Sequence, residues 1–303
     1  MPGRLGIVVV NYASTTLLAT NLVRVAAQVP DALVVVVDNL STADERAVVT
    51  SLCVAHGWEL VAPADNLGFG AGVNAGVARA LDVGCTDLLI LNPDAVVDGD
   101  AVHALRAAVA EDRLTLVSPI VRAADGRVWF GGSDLYLADG ETRARRRRPE
   151  HPGAERVEWL SGACLMATAE LWRATGGFQD DYFLYWEDVD LSRRVVAAGG
   201  TLRVLEDVEA LHDEGATHRA AGQVSEAKSP TYYYFNIRNR LLFAVHHLDA
   251  KGIARWTRGT PRHAVRVLLR GGKRQFLHPV APLRAAWRGM RDGRRIVRDA
   301  RRG

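Results

Sequence analysis

Residues 5–10, LGIVVV, and residues 32–37, ALVVVV, decide the fold of this chain. Both runs are apolar and rich in β-branched residues, so each predicts a buried β-strand. Residues 15–29 between them have the length of a helix. A strand, a helix and a second strand in this order predict a parallel β-α-β unit.

Two further strands are predicted over residues 58–62 and 88–91, with a helix over residues 70–82 between them. Uniformly apolar strands are typical of a mostly parallel sheet covered by helices on both faces, and ligands of such sheets bind beyond the carboxyl ends of the strands. The polar residues that follow these strands are Asn11, Asp38, Asn39, Asn92 and Asp94. We therefore predict an α/β fold with a binding site along that edge.

The composition describes a globular chain of enzyme size. Of its 303 residues, 48% are hydrophobic and 24% are charged, which excludes a disordered or collagen-like chain. The three cysteines, Cys53, Cys85 and Cys164, form no CxxC metal pair, and their odd number favours a reducing compartment over a disulfide framework. We find no signal sequence and no apolar run of about 18 residues. A cytoplasmic protein is therefore expected.

Charge is distributed unevenly along the chain. Residues 251–303 contain 16 Lys and Arg against 2 Asp and Glu, a net charge of +14, so the total of +3 leaves −11 for residues 1–250. Five arginines recur every three or four residues, at Arg255, Arg258, Arg262, Arg266 and Arg270. This pattern predicts a basic amphipathic helix on an anionic membrane face. RNA is the alternative partner, but the acidic body and the lack of an RNA-binding motif argue against nucleic acid.

Two segments are candidates for phosphate contacts. Residues 70–75, GAGVNA, fit the pattern G-x-G-x-x-A, but they follow the third predicted strand rather than the first, so close packing of a helix through its glycines is the alternative. Residues 145–148, RRRR, lie in residues 138–155, which Pro149 and Pro152 predict to be an exposed loop. These arginines indicate either a solvated surface or a contact with phosphate or lipid head groups.

Two groups of carboxylates indicate chemistry. Asp94 ends an apolar strand, where a carboxylate can hold a divalent cation against a diphosphate, although Asn-Pro-Asp is also an ordinary turn sequence. Glu187, Asp188 and Asp190 lie within four residues, and such crowding favours a cation or an acid/base role. The alternative is that these acids open a helix, whose dipole they would stabilise.

The order and spacing of several short motifs resemble one known family. They are residues 9–12 (VVNY), 37–41 (VDNLS), 66–76 (NLGFGAGVNAG), 91–94 (LNPD), 162–163 (GA), 176–178 (GGF) and 186–188 (WED). Together they resemble the GT-A glycosyltransferases of family 2, and among these the rhamnosyltransferase-like branch. The resemblance runs over residues 5–218 and again over residues 232–240. It implies a GT-A domain over residues 1–225, with a donor half to about residue 115 and an acceptor half beyond it, followed by a basic helical region over residues 226–303.

The resemblance implies a site for a nucleotide-diphosphate sugar. Its predicted members are Asn11, Tyr12, Ser14, Asp38, Asn39, Asn66, Gly68, Asn74, Asn92, Asp94 and Arg238. Asp94 corresponds to the last acid of the family's DXD metal motif, and Asn92 stands where the first acid is expected. His212 resembles the histidine that completes the metal shell, with His218 as a second candidate, and the implied cofactor is Mg²⁺ or Mn²⁺. Arg238 and Arg240 lie among the aromatic residues that begin at Tyr232, and this segment covers the diphosphate, forms the acceptor entrance or packs in the core.

The resemblance also implies an inverting reaction at a sugar hydroxyl. Asp188 corresponds to the catalytic base, and Glu187 would orient that base or the acceptor. The predicted acceptor contacts are Trp159, Gly162, Tyr185 and Trp186. A deoxysugar donor such as dTDP-rhamnose and a lipid-linked or cell-envelope glycan acceptor are implied, in an enzyme that lies on the inner face of the membrane and can form oligomers. A nucleotidyltransferase and a non-catalytic nucleotide- or glycan-binding module are the alternatives.

Overall fold

A nine-stranded sheet forms the centre of the protein, whose computed structural model describes residues 3–212, 228–272 and 274–302. The strands of the chain are β1 (Arg4–Asn11), β2 (Leu33–Asp38), β3 (Glu59–Val61), β4 (Cys85–Leu91), β5 (Ala95–Val97), β6 (Thr115–Ala123), β7 (Val128–Phe130), β8 (Ser133–Tyr136), β9 (Glu141–Ala144), β10 (Arg156–Trp159), β11 (Cys164–Thr168) and β12 (Thr201–His212). The order in the large sheet is β3-β2-β1-β4-β11-β6-β12-β5, with β7 beside β6. The remaining strands form a small sheet in the order β10-β8-β9.

The helices cover both faces of this sheet. The first helix, α1, consists of Thr15–Leu17, a π-helical turn at Leu18–Leu22, and Val23–Gln28. The others are α2 (Ala43–His56), α3 (Phe69–Asp82), α4 (Gly99–Glu111), α5 (Ala169–Thr175), α6 (Glu187–Ala197), α7 (Pro230–His247), α8 (Ala250–Leu269) and α9 (Val280–Ala300). The predicted α/β fold and its first β-α-β unit are therefore confirmed.

The uniformly apolar strands supply two separate cores. Successive residues of a strand point to opposite faces of the sheet. Accordingly, Ile7 and Val9 of β1 pack in the core beneath α1, α2 and α4, whereas Val8 and Val10 pack in the core beneath α3, α5 and α6. Both faces need apolar side chains, which explains why β1 shows no alternation of polar and apolar residues.

The glycines of α3 serve close packing on the sheet. A Cβ atom at Gly76 would lie 2.5 Å from Val8 Cγ1 and 2.8 Å from Val37 Cγ2, and one at Gly72 would lie 3.2 Å from Val10 Cγ1. The helix can reach the strands at this distance only because these positions have no side chain. Of the two interpretations of the GAGVNA sequence, the structure supports close packing of a helix.

Strand β11 runs antiparallel between β4 and β6, and this reversal positions the site. Cys164 at its start pairs with Leu91 at the end of β4, and Thr168 at its end pairs with Asp87. The turn that precedes β11, residues 160–163, therefore lies at the carboxyl edge of the sheet, where the polar residues of β1, β2 and β4 also lie.

Part of the predicted exposed loop over residues 138–155 is regular structure, so that prediction is wrong. It contains β9 and a 3₁₀ helix at Arg145–Glu150, and Glu141 on β9 is buried. The arginines of this run pair within the chain: Arg148 binds Asp134 at 2.8 Å and contacts Glu158, and Arg147 binds Glu150. Proline ends regular helices, but it is tolerated in this short 3₁₀ segment.

Helices α7, α8 and α9 pack together at the end of the chain. Gly289 and Gly293 of α9 lie against α7, where a Cβ at Gly289 would be 3.1 Å from Ile237 Cβ. Across residues 3–212, 228–272 and 274–302, no helix combines the length and the apolar character that a membrane crossing requires. The predicted domain boundary at residue 225 lies outside the described residues.

Three of the five arginines in the basic stripe of α8 contact the domain. Arg270 binds Glu141 at 3.0 Å, Arg266 lies 3.3 Å from the same carboxylate, and Arg255 donates to the Leu137 carbonyl. All three arginines remain exposed, so the expectation that this stripe faces a membrane stays a prediction. Buried His263 also contacts the Glu141 carboxylate, at 2.6 Å. Hydrogen bonds and the nearby arginine charges lower the pKa of Glu141 to about 2 despite its burial.

Candidate active site

Hydrogen bonds join the polar residues that follow β1 and β2. Asn11 Nδ2 donates to Asp38 Oδ1 at 3.3 Å, and its Oδ1 accepts the Ser14 amide at 3.1 Å. Asp38 is fully buried and also binds Arg46 Nε at 2.7 Å, a partner that sequence analysis did not identify. Tyr12 lies beside them with 54% of its surface exposed. This edge of the sheet therefore presents buried, hydrogen-bonded polar side chains next to the exposed aromatic ring of Tyr12.

Asn39 holds the loop that precedes α3, at residues 66–68, against the same edge of the sheet. Its side chain donates to the Gly68 carbonyl at 2.7 Å and accepts the Leu67 amide at 3.2 Å. Gly68 has φ +83°, and a Cβ there would collide with the Phe183 carbonyl, which accepts the Phe69 amide at 2.8 Å. The loop before α3 is thus wedged between Asn39 and the segment that leads to Asp188.

Asn66 and Asn74 have local structural partners. Asn66 Oδ1 accepts the Gly68 amide at 2.8 Å, which fixes the loop. Asn74 donates to the Phe178 carbonyl at 2.7 Å and accepts the Phe178 amide at 3.0 Å, so its side chain holds the chain near Gly177. Their predicted place beside the nucleotide stays a prediction.

Asp94 and His212 meet although 118 positions separate them in the sequence. Strands β5 and β12 pair antiparallel, with His212 opposite Ala95, the residue after Asp94. His212 Nε2 lies 3.1 Å from Asp94 Oδ1, both side chains are nearly buried, and the imidazole stacks on Trp129 with a centroid distance of 4.3 Å. His218, the second candidate, lies outside the described residues.

The Asp94–His212 pair fits a divalent cation. Two ligands that occupy neighbouring octahedral positions at about 2.1 Å from Mg²⁺ are about 3 Å apart, close to the distance between these two atoms. His212 Nδ1 is buried and has no hydrogen-bond partner within the described residues. Asn92, where the family's motif has its first acid, donates its backbone amide to the Ala163 carbonyl at 2.9 Å, and its side chain is only partly buried.

One turn links this pair to the predicted base. The Gly162 amide donates to Asp188 Oδ2 at 3.2 Å, while the neighbouring Ala163 carbonyl binds the Asn92 amide. Asp188 is the second residue of α6, where the Val189 amide donates to its other oxygen at 2.8 Å. Residues 162 and 163 therefore join the segment of Asp94 to that of Asp188, which places the two carboxylates along one edge of the sheet.

The acids that open α6 have unequal surroundings. Asp188 keeps part of its surface exposed, but protein atoms surround its carboxyl group closely, and this burial raises its pKa to about 6 even though backbone amides bind the ionised form. Burial and the nearby Asp188 charge raise the pKa of Glu187 well above its usual range. Glu187 Oε2 is buried without a hydrogen-bond partner in the described part of the chain. A protonated Glu187 beside an ionised Asp188 is the arrangement that these shifts favour.

The predicted acceptor contacts differ in what they present. Tyr185 is half-buried, and burial raises its pKa to about 12, so its hydroxyl stays protonated. Trp159 is half-buried, and its Nε1 has no partner among residues that the structure describes. Trp186 is buried, with its ring 5.7 Å from Phe243 and 6.4 Å from Trp256, so its indole belongs to the core rather than to the acceptor surface.

The segment before Asp188 is strained and is held by a residue that sequence analysis missed. Phe183, Tyr185 and Trp186 have φ values of 62°, 65° and 77°, a region that non-glycine residues rarely adopt. The buried amide of Asn239 donates to the carbonyls of Tyr182, Leu184 and Tyr185 at 2.9, 2.9 and 2.7 Å. Its side-chain oxygen accepts from Arg238, which also binds the Asp181 carbonyl.

The other predicted phosphate arginine lies elsewhere. Arg240 is buried and donates to the carbonyls of Asp139, Gly140 and Trp256, with its guanidinium 4.6 Å from the Trp256 ring. The suggestion that Arg240 covers a diphosphate is therefore wrong, because all of its donors face the core.

A third acid, Asp190, could in principle share a metal ion with His246 and His247, since their ligand atoms lie within 4.8 Å of one another. The carboxylate already binds His247 Nε2 at 2.6 Å and Arg194 Nε at 2.7 Å. Hydrogen bonds to Asp181 and Asp190 raise the pKa of His246 to about 9, so it carries a proton at neutral pH. We interpret the group as an ion-pair cluster between α6 and α7.

The fold and this edge define a class of protein. A mostly parallel sheet with an antiparallel strand, β11, between two parallel ones, and with carboxylates at its carboxyl edge, is the architecture of GT-A glycosyltransferases. The chain belongs to glycosyltransferase-like family 2, whose family model matches residues 2–244.

Two curated relatives narrow the comparison. An N-acetylglucosaminyl-diphospho-decaprenol L-rhamnosyltransferase of Mycobacterium tuberculosis is 31% identical over 187 residues, 52% of this chain and 61% of the relative. The chain thus matches less than two thirds of that relative's length. A low-salt glycan biosynthesis hexosyltransferase of Haloferax volcanii is 23% identical over 257 residues, covering 83% of this chain and 78% of the relative.

Solved structures support the fold. A mannosyltransferase from Pyrobaculum calidifontis, in complex with GDP-Man and Mn²⁺, matches 97% of this chain and 85% of its own with a TM-score of 0.58 and 16% identity. A fragment of S. aureus TarS with UDP-GlcNAc matches 96% of this chain and 92% of its own, with a TM-score of 0.53 and 15% identity. At these identities the likeness concerns the fold alone.

Proposed function

We propose that this protein transfers a sugar, with inversion, from a nucleotide-diphosphate donor to a hydroxyl of a lipid-linked glycan acceptor. The observation that carries the proposal is the turn at Gly162 and Ala163, which contacts Asp188 on one side and Asn92, two residues before Asp94, on the other. A base on one side and a holder of the leaving group on the other are what a single displacement needs.

The donor would bind along the polar edge. The hydrogen-bonded set Asn11, Asp38 and Asn39 would contact the ribose and base, and the exposed ring of Tyr12 would stack on the base. The diphosphate would lie toward Asp94 and His212, which would hold Mg²⁺ or Mn²⁺. Such an ion neutralises the charge that gathers on the departing diphosphate. The mannosyltransferase structure is a complex with GDP-Man and Mn²⁺, which supports this assignment.

Asp188 would remove the acceptor proton. The attacking hydroxyl must lose its proton as the bond from its oxygen to the anomeric carbon forms and the bond from that carbon to the diphosphate breaks. A pKa of about 6 leaves Asp188 mostly ionised at neutral pH and makes it a better base than an ordinary aspartate. The Gly162 and Val189 amides fix the orientation of both its oxygens, and the protonated Glu187 behind it keeps a second negative charge away.

The relative at 31% identity supports the choice of substrates. Its name gives L-rhamnose as the sugar moved and a diphospho-decaprenol-linked N-acetylglucosamine as the acceptor. We infer a dTDP-linked deoxysugar such as dTDP-rhamnose as donor and a polyprenyl-diphosphate-linked sugar as acceptor. On this proposal residues 1–225 form the transferase domain and residues 226–303 an accessory helical region.

Replacement of the base tests the proposal. With dTDP-rhamnose, Mn²⁺ and a synthetic N-acetylglucosaminyl-diphospho-polyprenol, Asp188→Asn should lower the rate of dTDP release by about 10²- to 10⁴-fold, because the amide cannot take a proton. The amide can still accept from Gly162, so dTDP binding, measured by calorimetry, should match that of the wild type.

Asp31→Asn is the matched control, since Asp31 is exposed and lies in the turn before β2. It should leave transfer and dTDP binding unchanged. An Asp188→Asn variant that transfers at the wild-type rate would contradict the role of Asp188. A wild-type protein that binds dTDP-rhamnose without turning over the acceptor would favour a binding module instead.

A further inference from the structure

The C-terminal hairpin formed by α8 and α9 exposes an unusual number of apolar side chains at its tip, over residues 265–272 and 274–287. Of the thirteen large hydrophobic side chains that the described residues expose, seven lie between Val265 and Trp287. Leu277 and Val280 are each 76% exposed, and Leu283 and Trp287 are about half exposed. Side chains of this kind in contact with water mark an interaction surface when they are clustered.

Basic side chains continue this surface along α9. Arg291, Arg294, Arg295 and Arg298 follow Trp287 at intervals of three or four residues, so they share one helix face. Together with Trp287 and Met290 they line an open groove of about 750 Å³. Residues 274–302 contain nine arginines and two aspartates, so the surface carries a strong positive charge.

The opposite face of α9 is buried against the rest of the protein. Ala285, Ala286 and Val297 are buried, and Gly289 lies against the backbone of α7, where a Cβ would be 2.7 Å from the Tyr234 carbonyl. The helix is therefore fixed in its rotation, and its apolar and basic residues point outward as a set.

We propose that the hairpin tip and the arginine face of α9 bind the surface of an anionic phospholipid membrane. Apolar side chains of this kind insert at the level of the lipid head groups while arginines bind the phosphates. A second copy of the chain fits less well, because a symmetric contact would place this arginine face against its own charge. That membrane binding would bring the enzyme to a lipid-linked acceptor is an inference that rests on the proposed function.

Packed side chains connect this surface to the strained segment before Asp188. Tyr234 of α7 donates to Asp292 of α9 at 3.1 Å, and Arg288 lies 5.4 Å from the Tyr234 ring. Phe235 contacts the Tyr234 ring and stacks on Phe183 at a centroid distance of 5.2 Å. A membrane bound at α9 would thus lie one helix away from the segment that we assign to the acceptor.

Vesicle flotation of the full chain tests this proposal without any acceptor. The protein should float with vesicles of POPC and POPG but not with vesicles of POPC alone, and added salt should weaken its binding. Val280→Ser should reduce binding, whereas Val54→Ser should not, although Val54 on α2 is equally exposed at 77%. Arg294→Gln with Arg298→Gln should weaken binding about fivefold per arginine, and Arg24→Gln with Arg173→Gln should not.

Three results would overturn the proposal: equal binding to both kinds of vesicle, equal effects of Val280→Ser and Val54→Ser, or a dimer in solution that Val280→Ser converts to a monomer. The last would assign the surface to a second copy. Asp188→Asn should float like the wild type, and the surface variants should transfer normally to a water-soluble acceptor. A wild-type protein that floats with the anionic vesicles but transfers no sugar to either acceptor would contradict the proposed function alone.

Discussion

Asn239 stabilises three peptide groups that no regular element could accommodate. The segment at Phe183–Trp186 turns its carbonyls inward through three left-handed residues, and each such residue costs about 1–3 kcal/mol unless its surroundings hold it. The two amide hydrogens of Asn239 are shared among three carbonyl oxygens within 2.9 Å. The side chain thereby sets the position of the backbone immediately before Glu187 and Asp188.

We predict that Asn239→Ala lowers kcat by about ten- to a hundredfold, because a base displaced by about 1 Å is a poor proton acceptor. The KM for the donor should change much less, since Asn239 does not contact the donor edge. Asn236→Ala on the same helix is the control, because Asn236 Nδ2 donates to the Tyr232 carbonyl one turn away, within its own helix. Steady-state kinetics with folded variants decide the matter: equal kcat values for the two variants would refute the positioning role.

The sequence indicated the acidic residues of the site, but not the residues whose side chains hold backbone carbonyls in place. Asp94 and Asp188 could be proposed because acids at a strand end and a helix start carry chemistry in many folds. Arg46 and Asn239 have partners 8 and more than 50 residues away, and nothing local marks them. Arg240 shows the converse error, since a basic residue among aromatics has the same sequence pattern whether it binds phosphate or packs on Trp256.

At the level of elements, the approach of α3 to the sheet depends on Gly76. A methyl group there would lie 2.5 Å from Val8 and 2.8 Å from Val37, both in the core of the sheet. We predict that Gly76→Ala lowers the free energy of unfolding by about 1–3 kcal/mol through overpacking, despite the higher helix propensity of alanine. Urea denaturation measures this change.

Gly259→Ala provides the comparison within α8. A methyl group there meets only the Arg240 guanidinium at 3.8 Å, an ordinary contact, so the substitution should stabilise the protein by up to about 1 kcal/mol. If Gly76→Ala and Gly259→Ala both increase the free energy of unfolding, the close approach of α3 to the sheet does not depend on a glycine at position 76.

Apolar runs predicted three strands of the first ninety residues well, whereas helix α2 at Ala43–His56 was not predicted. The strands at Arg4–Asn11, Leu33–Asp38 and Glu59–Val61 lie within two residues of the predicted bounds, because buried parallel strands need apolar side chains on both faces. Strand β9 could not be predicted in the same way. Its residues, Glu141–Ala144, are polar, and the strand exists because β8 pairs with it and because α8 supplies cations for Glu141.

For the whole molecule, the ion-pair cluster at Asp190 joins the sheet domain to the C-terminal helices. Asp190 of α6 faces His246 and His247 of α7, Arg194 of its own helix and the Tyr182 hydroxyl, while Asp181 lies 3.3 Å from His246. His246 has a pKa of about 9 in the folded protein, above the usual 6.5. The stabilisation from its proton is therefore complete below pH 6.5 and is lost as the pH rises through about 9.

We predict that His246→Gln lowers the free energy of unfolding by about 2 kcal/mol at pH 6, because two charge-assisted contacts are lost. The difference between wild type and variant should shrink between pH 6.5 and 9 and vanish near pH 10. Urea denaturation over this range measures it, with exposed His278→Gln as control. A difference that stays constant with pH would show that the imidazole acts by packing and not by charge.

The turn at Gly162 and Ala163 has a consequence for altering what this protein recognises. The Gly162 amide binds Asp188, and the neighbouring Ala163 carbonyl binds the Asn92 amide. A change that moves the segment of Asn92 should therefore also move Asp188. Substitutions at the end of β4 that are meant to change the donor sugar would therefore also change how well Asp188 removes the acceptor proton. Independent changes of sugar and acceptor preference should instead be sought at outlying positions such as Tyr12, whose ring can be exchanged without disturbing that shared backbone.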